Sequence, residues 1–371
     1  MSKNPVPISS CFLDKVSRVV KDKIQWEPQT PLTTNISSHE IELHDWHKCF
    51  RIVTQEQKDD EKEMDVLKGD KQADWETLKG ATPPVFWQVL EKHRAVFGPL
   101  VRPEARPKDP LVKMDLKLKP EWADKPMKLK AYPLRMAHEN ELYSQVAELQ
   151  KQGYLVPFGK DEIPQHCTPC FMVAKKEGAS LRFTGSYAEI NNRTIPDVGN
   201  LPDCMAQIEK FCQFKYKAKF DFRSGFWNVN LTERASNLLA IILPNGTILK
   251  WTVMPYGHYN APAVFQRLTN LILDELKRDE RIQEMIRKGE AGADGYVDDI
   301  SLGANKMEDL VYLVGTFLRI CEKYGIRCKA SRTALGVEYA ELLGFQCGHK
   351  WWRVDPKRRL SLGSLPPQKK R

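Results

Sequence analysis

Gly295-Tyr296-Val297-Asp298-Asp299-Ile300-Ser301 reads as a strand, a two-carboxylate turn and a second strand. Residues that alternate along a strand face opposite sides of its sheet, which predicts Tyr296 and Asp298 on one face and Val297 turned into the protein. Two aspartates side by side at a hairpin tip repel one another unless a cation neutralises them. Aspartate is also a good turn former, so a solvated turn explains the four residues Tyr296 to Asp299 equally well on their own. A third carboxylate upstream separates the two readings.

That carboxylate is Asp221, in Lys215-Tyr216-Lys217-Ala218-Lys219-Phe220-Asp221-Phe222. Tyr216, Ala218, Phe220 and Phe222 alternate with three lysines and Asp221, the pattern of a half-buried strand. The expectation is Asp221 on a solvent-accessible face in a cationic neighbourhood. If this strand pairs with the Tyr296 hairpin, Asp221, Asp298 and Asp299 converge on one patch. Hard oxygen ligands suit Mg²⁺, or Mn²⁺ in its place, with water and substrate phosphates completing the shell. Two such ions roughly 3.5–4 Å apart can activate an attacking hydroxyl and stabilise a leaving pyrophosphate oxygen, as polymerases do.

Tyr296-Val297-Asp298-Asp299 resembles the signature of reverse transcriptases, and Phe220-Asp221-Phe222-Arg223-Ser224-Gly225-Phe226 resembles their first catalytic motif. The stretch from Pro255-Tyr256-Gly257 through Asn260-Ala261-Pro262 to Phe265-Gln266 is similar to one in gypsy-type LTR retrotransposons, whose polyproteins carry a retroviral-like RNA-directed DNA polymerase. Leu342-Leu343-Gly344-Phe345 fits the primer grip of that family, and Thr168-Pro169 through Arg182 fits its fingers. The resemblance runs in the family's order from about Pro84 to Pro366.

The resemblance implies an α+β fold, the fingers and palm of a right-hand polymerase, with an antiparallel palm sheet packed on helices. It implies metal binding and catalysis at Asp221, Asp298 and Asp299, and nucleotide contacts at Lys175, Arg182, Phe226, Tyr256 and Gly257. Lys175 and Arg182 fall at triphosphate-contacting positions, where lysine acts as a point charge and arginine can grip bidentately. Phe226 falls at the steric gate, where a ring under the sugar excludes a ribose 2′-OH. Tyr296, Leu343 and Gly344 are expected at the primer and template. The implied partners are an RNA or DNA template with its primer, and dNTPs.

The rest of the chain sets bounds. With 371 residues there is room for two or three lobes. The net charge of +9 suits a polyanionic partner, though so mild a basicity is weak evidence by itself. Nine cysteines without dense spacing suggest reduced thiols and an intracellular protein, cytoplasmic or nuclear. No apolar run is long enough for a bilayer span, so no membrane association is expected, and the oligomeric state is open. Residues 1–80 read as a linker-like or disordered extension, 81–213 as fingers, 214–350 as palm, and 351–371 as the start of a connection with a basic tail. His39, His44, His47 and Cys49 fit no recognised zinc spacing. Cys167 and Cys170, a lone Cys-x-x-Cys, are expected to be structural. Asn260 is a candidate cap for the helix that follows, and Leu238 to Leu243 reads as one apolar run.

Departures from the family pattern bear on activity. Ser186-Tyr187-Ala188-Glu189-Ile190-Asn191 stands where relatives carry Asp-Tyr-Arg-x-Leu-Asn, and Leu238 stands where a lysine is usual. Arg332 takes the place of a lysine sometimes assigned as general acid, and arginine is a poor proton donor. These changes spare the three aspartates. Competing expectations are a retrotransposon remnant that binds nucleic acid without polymerising, an RNA-dependent RNA polymerase, and a structural protein with an incidental Asp-Asp turn.

Overall fold

The computed structural model describes residues 72–107, 110–174, 181–197, 199 and 201–356. The histidine cluster at 39–47, Cys49, Lys175 and the basic tail lie outside them. In chain order the regular elements begin with α1 (Gln72–Ala81), α2 (Trp87–Lys92), β1 (Lys113–Met114), β2 (Met127–Lys128), α3 (Met136–Lys151) and β3 (Leu155–Pro157). Next come β4 (His166–Ala174), β5 (Leu181–Gly185), α4 (Ala188–Arg193), α5 (Cys204–Cys212), β6 (Tyr216–Asp221) and β7 (Asn230–Leu231). Then follow α6 (Glu233–Leu238), β8 (Ile241–Ile242), β9 (Ile248–Trp251), α7 (Ala261–Leu276) and α8 (Glu280–Arg287). The chain continues through β10 (Ala291–Tyr296), β11 (Asp299–Ala304), α9 (Met307–Lys323), β12 (Ala334–Val337), β13 (Ala340–Leu342), β14 (Phe345–Gly348) and β15 (Trp351–Val354). Among the described residues, no helix is long and apolar enough to cross a membrane.

The central sheet has the order β10-β11-β6-β12, every pairing antiparallel. Period-2 alternation sends Ala218, Phe220, Ile300 and Leu302 to one face, all fully buried under α7 and α9. Phe220 meets Phe317 of α9 with ring centroids 4.7 Å apart. The opposite face carries the lysines and Asp221, and here the solvent-exposed expectation fails. Lys217 is fully buried and Asp221 is only 6 % exposed. At Lys217 the cause is a second layer: α5 packs on β10 and β11 from this side, and the Phe214 ring lies directly on Gly292 and Gly303, the latter opposite Lys217. A methyl group at either glycine would overlap that ring, so the two glycines are what let the layer close down. Period 2 distinguishes the faces of a strand but does not reveal that both are covered.

A second sheet, ordered β2-β4-β8-β9-β3 with β5 on β4, draws strands from both sides of position 214. Here the expected Leu238–Leu243 run divides. Thr232 caps α6 by accepting from the Ala235 amide, the helix continues through Leu238, and strand pairing is confined to Ile241 and Ile242. A third sheet, β13-β14-β15, packs on α5, and Trp351–Val354 completes it instead of leaving the domain.

Two further expectations need correction. Residues 72–80 are not linker: Trp75 and Leu78 of α1 are buried, and α1 packs against the turn Ala330–Arg332. Asn260 does not cap α7. Its side chain accepts from the Asp197 amide at 2.9 Å and donates to the Ile195 carbonyl at 3.1 Å, tying a distant loop to the helix start. By contrast α3 ends as its sequence predicts, with Gly153 in the left-handed region at φ 75°.

Candidate active site

The ladder register assembles the carboxylates. Asp299 of β11 stands opposite Asp221 of β6 and opposite Tyr296 of β10, so all three share the face that carries Lys219. Directly opposed residues of antiparallel strands lie about 4.5–5.5 Å apart at Cα. Asp298 occupies the turn with Val297, and its carbonyl accepts from the Phe222 amide at 3.2 Å. The sequence reading put Asp298 on Tyr296's face. Because the tight turn takes both Val297 and Asp298, Asp299 shares that face instead.

Val297 adopts φ 53°, a left-handed conformation that costs a β-branched residue of order 1–3 kcal/mol. Three side chains hold it there. Gln266 accepts from the Val297 amide at 2.8 Å and donates to the Gly295 carbonyl at 3.1 Å. Gln207 of α5 donates to the same Gly295 carbonyl at 2.9 Å, and the Thr269 hydroxyl donates to the Val297 carbonyl. The hairpin is therefore clamped from α5 on one side and α7 on the other. Sequence reasoning quoted Gln266 without giving it a task and passed over Gln207 and Thr269. Their only signal was an amide or hydroxyl in an otherwise apolar helical pattern.

Asp298 is 9 % exposed, and the Lys219 ammonium lies 3.3 Å from Asp299. Burial, with Cys204 beside it, pushes the Tyr296 phenol up, so it stays protonated at any ordinary pH. Among the described residues, no three His, Cys, Asp or Glu side chains already converge as a closed metal cluster. What the strands provide is two opposed carboxylates and a third in the adjoining turn. That donor set suits Mg²⁺, which takes few protein ligands and completes its shell with water and phosphate.

Beside the carboxylates, Ser224 turns the chain with φ 41° into the short helix Gly225–Asn228. Phe226 is thereby set against Tyr256 at 5.2 Å between centroids and against Phe265 at 5.9 Å. Gly257 follows at φ 98°, where a Cβ would meet the buried Tyr187 ring at 3.2 Å. Asp221, Asp298, Asp299, Tyr296, Phe226, Tyr256 and Gly257 thus belong to one neighbourhood. Leu343 and Gly344 do not lie on the central sheet: with φ 49° and 83° they form the β13–β14 turn of the small sheet. Arg182 is a β5 residue opposite Val173. Cys167 and Cys170 are buried in β4 and point at backbone carbonyls, Cys167 at Leu129 and Cys170 at Ile242.

With this geometry in place the relatives can be compared. Residues 175–347 match the family described as "Reverse transcriptase (RNA-dependent DNA polymerase)". This segment is a reverse transcriptase domain. The "Enzymatic polyprotein" of Figwort mosaic virus (strain DxS) is 31 % identical over 205 residues, covering 54 % of this chain and 28 % of the relative. That of Cauliflower mosaic virus (strain CM-1841) is 30 % identical over 184 residues, 49 % of this chain and 25 % of the relative. The chain thus spans about a quarter of the length of these curated relatives. Among solved structures, the foamy viral protease-reverse transcriptase in complex with ds DNA aligns with a TM-score of 0.60 at 17 % identity, covering 95 % of this chain and 52 % of that one. The same viral protein in complex with RNA/DNA hybrid aligns with a TM-score of 0.59 at 16 % identity, covering 95 % of this chain and 40 % of the other. The fold is accordingly the α+β fold of reverse transcriptases.

Within the matched segment the departures from pattern sit on separate elements. Leu238 is buried at the end of α6. Arg332 lies in the turn that receives α1. Ser186 sits at the end of the β5 region, where its carbonyl accepts from the Thr168 hydroxyl and its own hydroxyl lies 3.3 Å from that of Tyr132.

Proposed function

We propose that this chain is an RNA-directed DNA polymerase, a nucleotidyltransferase that extends a primer on an RNA or DNA template with dNTPs. The observation that carries the reading is the register of Asp221 against Asp299 with Asp298 in the adjoining turn. In this reading residues 81–213 act as fingers and 214–350 as palm, and the gypsy-like stretch Pro255–Gln266 favours an LTR-retrotransposon origin.

Asp221, Asp298 and Asp299 would hold Mg²⁺ or Mn²⁺, which when bound lowers the proton affinity of the primer hydroxyl and neutralises the departing pyrophosphate. The chain's own residues then orient the substrates. Gln207, Gln266 and Thr269 keep the hairpin in one geometry, so the carboxylates need no rearrangement when the nucleotide arrives. Lys219 offsets the mutual repulsion of the carboxylates from the same face. The Phe226–Tyr256 pair offers an apolar wall for the sugar and base, and Lys175 and Arg182 take the triphosphate. Tyr296, Leu343 and Gly344 face the primer strand.

The replaced residues Ser186, Ala188, Leu238 and Arg332 favour a second reading, a remnant that binds primer and template without extending. An RNA-dependent RNA polymerase is disfavoured by the ring at position 226. Primer extension on homopolymer RNA, run with the full chain and with Asp298→Asn, tests the proposal. The expected outcome is dNTP incorporation by the native chain and its abolition by the substitution, with the thermal midpoint shifted by no more than a few degrees. Extension that survives Asp298→Asn would refute the mechanism. A native chain that binds primer–template but never extends it would establish the remnant.

A further inference from the structure

A thiol pair lies under the central sheet, on the side away from α7 and α9. Cys212 ends α5 and is 5 % exposed, and Cys347 in β14 is fully buried. Both belong to a small apolar cluster of their own, with Ile208, Phe211, Ala340 and Leu342, separate from the main core. The two backbones are fastened together at this point. The Lys350 amide donates to the Cys212 carbonyl at 2.7 Å, and the Cys212 thiol donates to the Trp351 carbonyl at 3.2 Å. Cys347 stands opposite Trp352 in the β14–β15 ladder, and its thiol donates to the Phe345 carbonyl at 3.7 Å.

Buried cysteines are ordinarily inert small hydrophobes. A buried lysine on the neighbouring strand argues otherwise. Lys217 of β6 is fully buried, its ammonium donates to the Phe214 carbonyl and lies 5.5 Å from the Phe211 ring centre. The neighbouring Cys347 side chain, helped by the Lys217 charge, holds the Cys212 proton affinity below that of an ordinary thiol. Burial pushes Cys167, Cys170 and Cys204 the other way. Two thiols in one cluster, one of them with lowered proton affinity and a buried lysine at hand, form an oxidisable dithiol.

We propose that Cys212 and Cys347 are a modification site, joined by a reversible disulfide that a peroxide forms and a small thiol opens. The Cys212 thiolate attacks one peroxide oxygen and the O–O bond breaks, leaving a sulfenic acid on Cys212 and, after protonation, one water. The Cys347 sulfur then attacks the Cys212 sulfur, the S–O bond breaks, and a second water leaves with the Cys347 proton. Two thiols lose two electrons and one hydrogen peroxide becomes two waters. The bond fastens the sheet that carries the Leu343–Gly344 turn to the helix whose Gln207 clamps the Gly295 carbonyl. The cross-link itself does not depend on the polymerase reading.

The test treats the folded full-length chain with hydrogen peroxide, alkylates the remaining thiols and maps the peptides without reduction. The expected product links the Cys212 and Cys347 peptides about 2 mass units below their sum, and dithiothreitol abolishes it. Lys217→Met is expected to slow the linkage roughly tenfold, since it removes the cation beside Cys212. Cys347→Ser, which keeps Lys217 and the fold, is expected to leave a Cys212 sulfenic acid that dimedone traps. Three results would overturn the proposal: linkage only after denaturation, Cys212 recovered as a sulfinic acid in the native chain, or an oxygen-bridged Cys212–Lys217 link in place of the disulfide.

Discussion

Phe226 shows how much one side chain can decide. It is only partly buried, yet it packs on Tyr256 and Phe265 within one residue of Gly225, where a Cβ would stand 3.4 Å from that of Asp298. A fully buried Phe would lose roughly 3–5 kcal/mol on truncation, and a partly exposed one less. Under the polymerase reading the ring excludes a 2′-OH by contact alone. Phe226→Val is therefore expected to raise the rNTP-to-dNTP incorporation ratio by roughly tenfold or more while the protein stays folded. The check is single-nucleotide incorporation alongside a thermal melt. A folded variant with an unchanged ratio would remove the gate, and a native preference for rNTPs would favour the RNA polymerase reading.

At the scale of elements, the Asp298–Asp299 hairpin is a strained turn held by two helices. Gln266 of α7 meets the Val297 amide and the Gly295 carbonyl together, and its amide also reaches Asn270 at 2.9 Å. Gln266→Leu keeps the bulk but leaves the Val297 amide without its acceptor, at a cost of about 1–3 kcal/mol. The turn should then sample other conformations, so kcat is expected to fall more than tenfold with KM for dNTP nearly unchanged. Steady-state kinetics with a urea titration would check this. A rise in KM alone would show that Gln266 serves nucleotide binding and not hairpin geometry.

For the molecule as a whole, α1 is the unexpected contributor. Trp75 meets Phe97 at 5.6 Å between ring centroids, Arg94 lies 5.1 Å from its ring, and the helix closes on the turn before β12. Trp75→Ala should cost roughly 3–5 kcal/mol of global stability, since a large buried ring leaves a cavity that the helix cannot fill. Urea denaturation measures it directly. A loss under about 1 kcal/mol would mean that α1 is a loosely docked appendage.

Sequence alone determined the strands of the Asp298–Asp299 hairpin, the strand that bears Asp221 and the long amphipathic helices. These are local: period-2 and period-3.6 patterns and left-handed glycines such as Gly153 and Gly257 act within a few residues. Only the tertiary structure decided what covers each face. Lys217 and Asp221 alternate like residues on a wet surface, yet both are buried, Lys217 where α5 and the Phe214 ring close over the sheet. Asn260 looked like a helix cap and instead serves the loop at Ile195 and Asp197, a contact that no window of sequence contains. Trp75 and Gln207 take their roles from partners at least 20 residues away in the chain, beyond the reach of local periodicity.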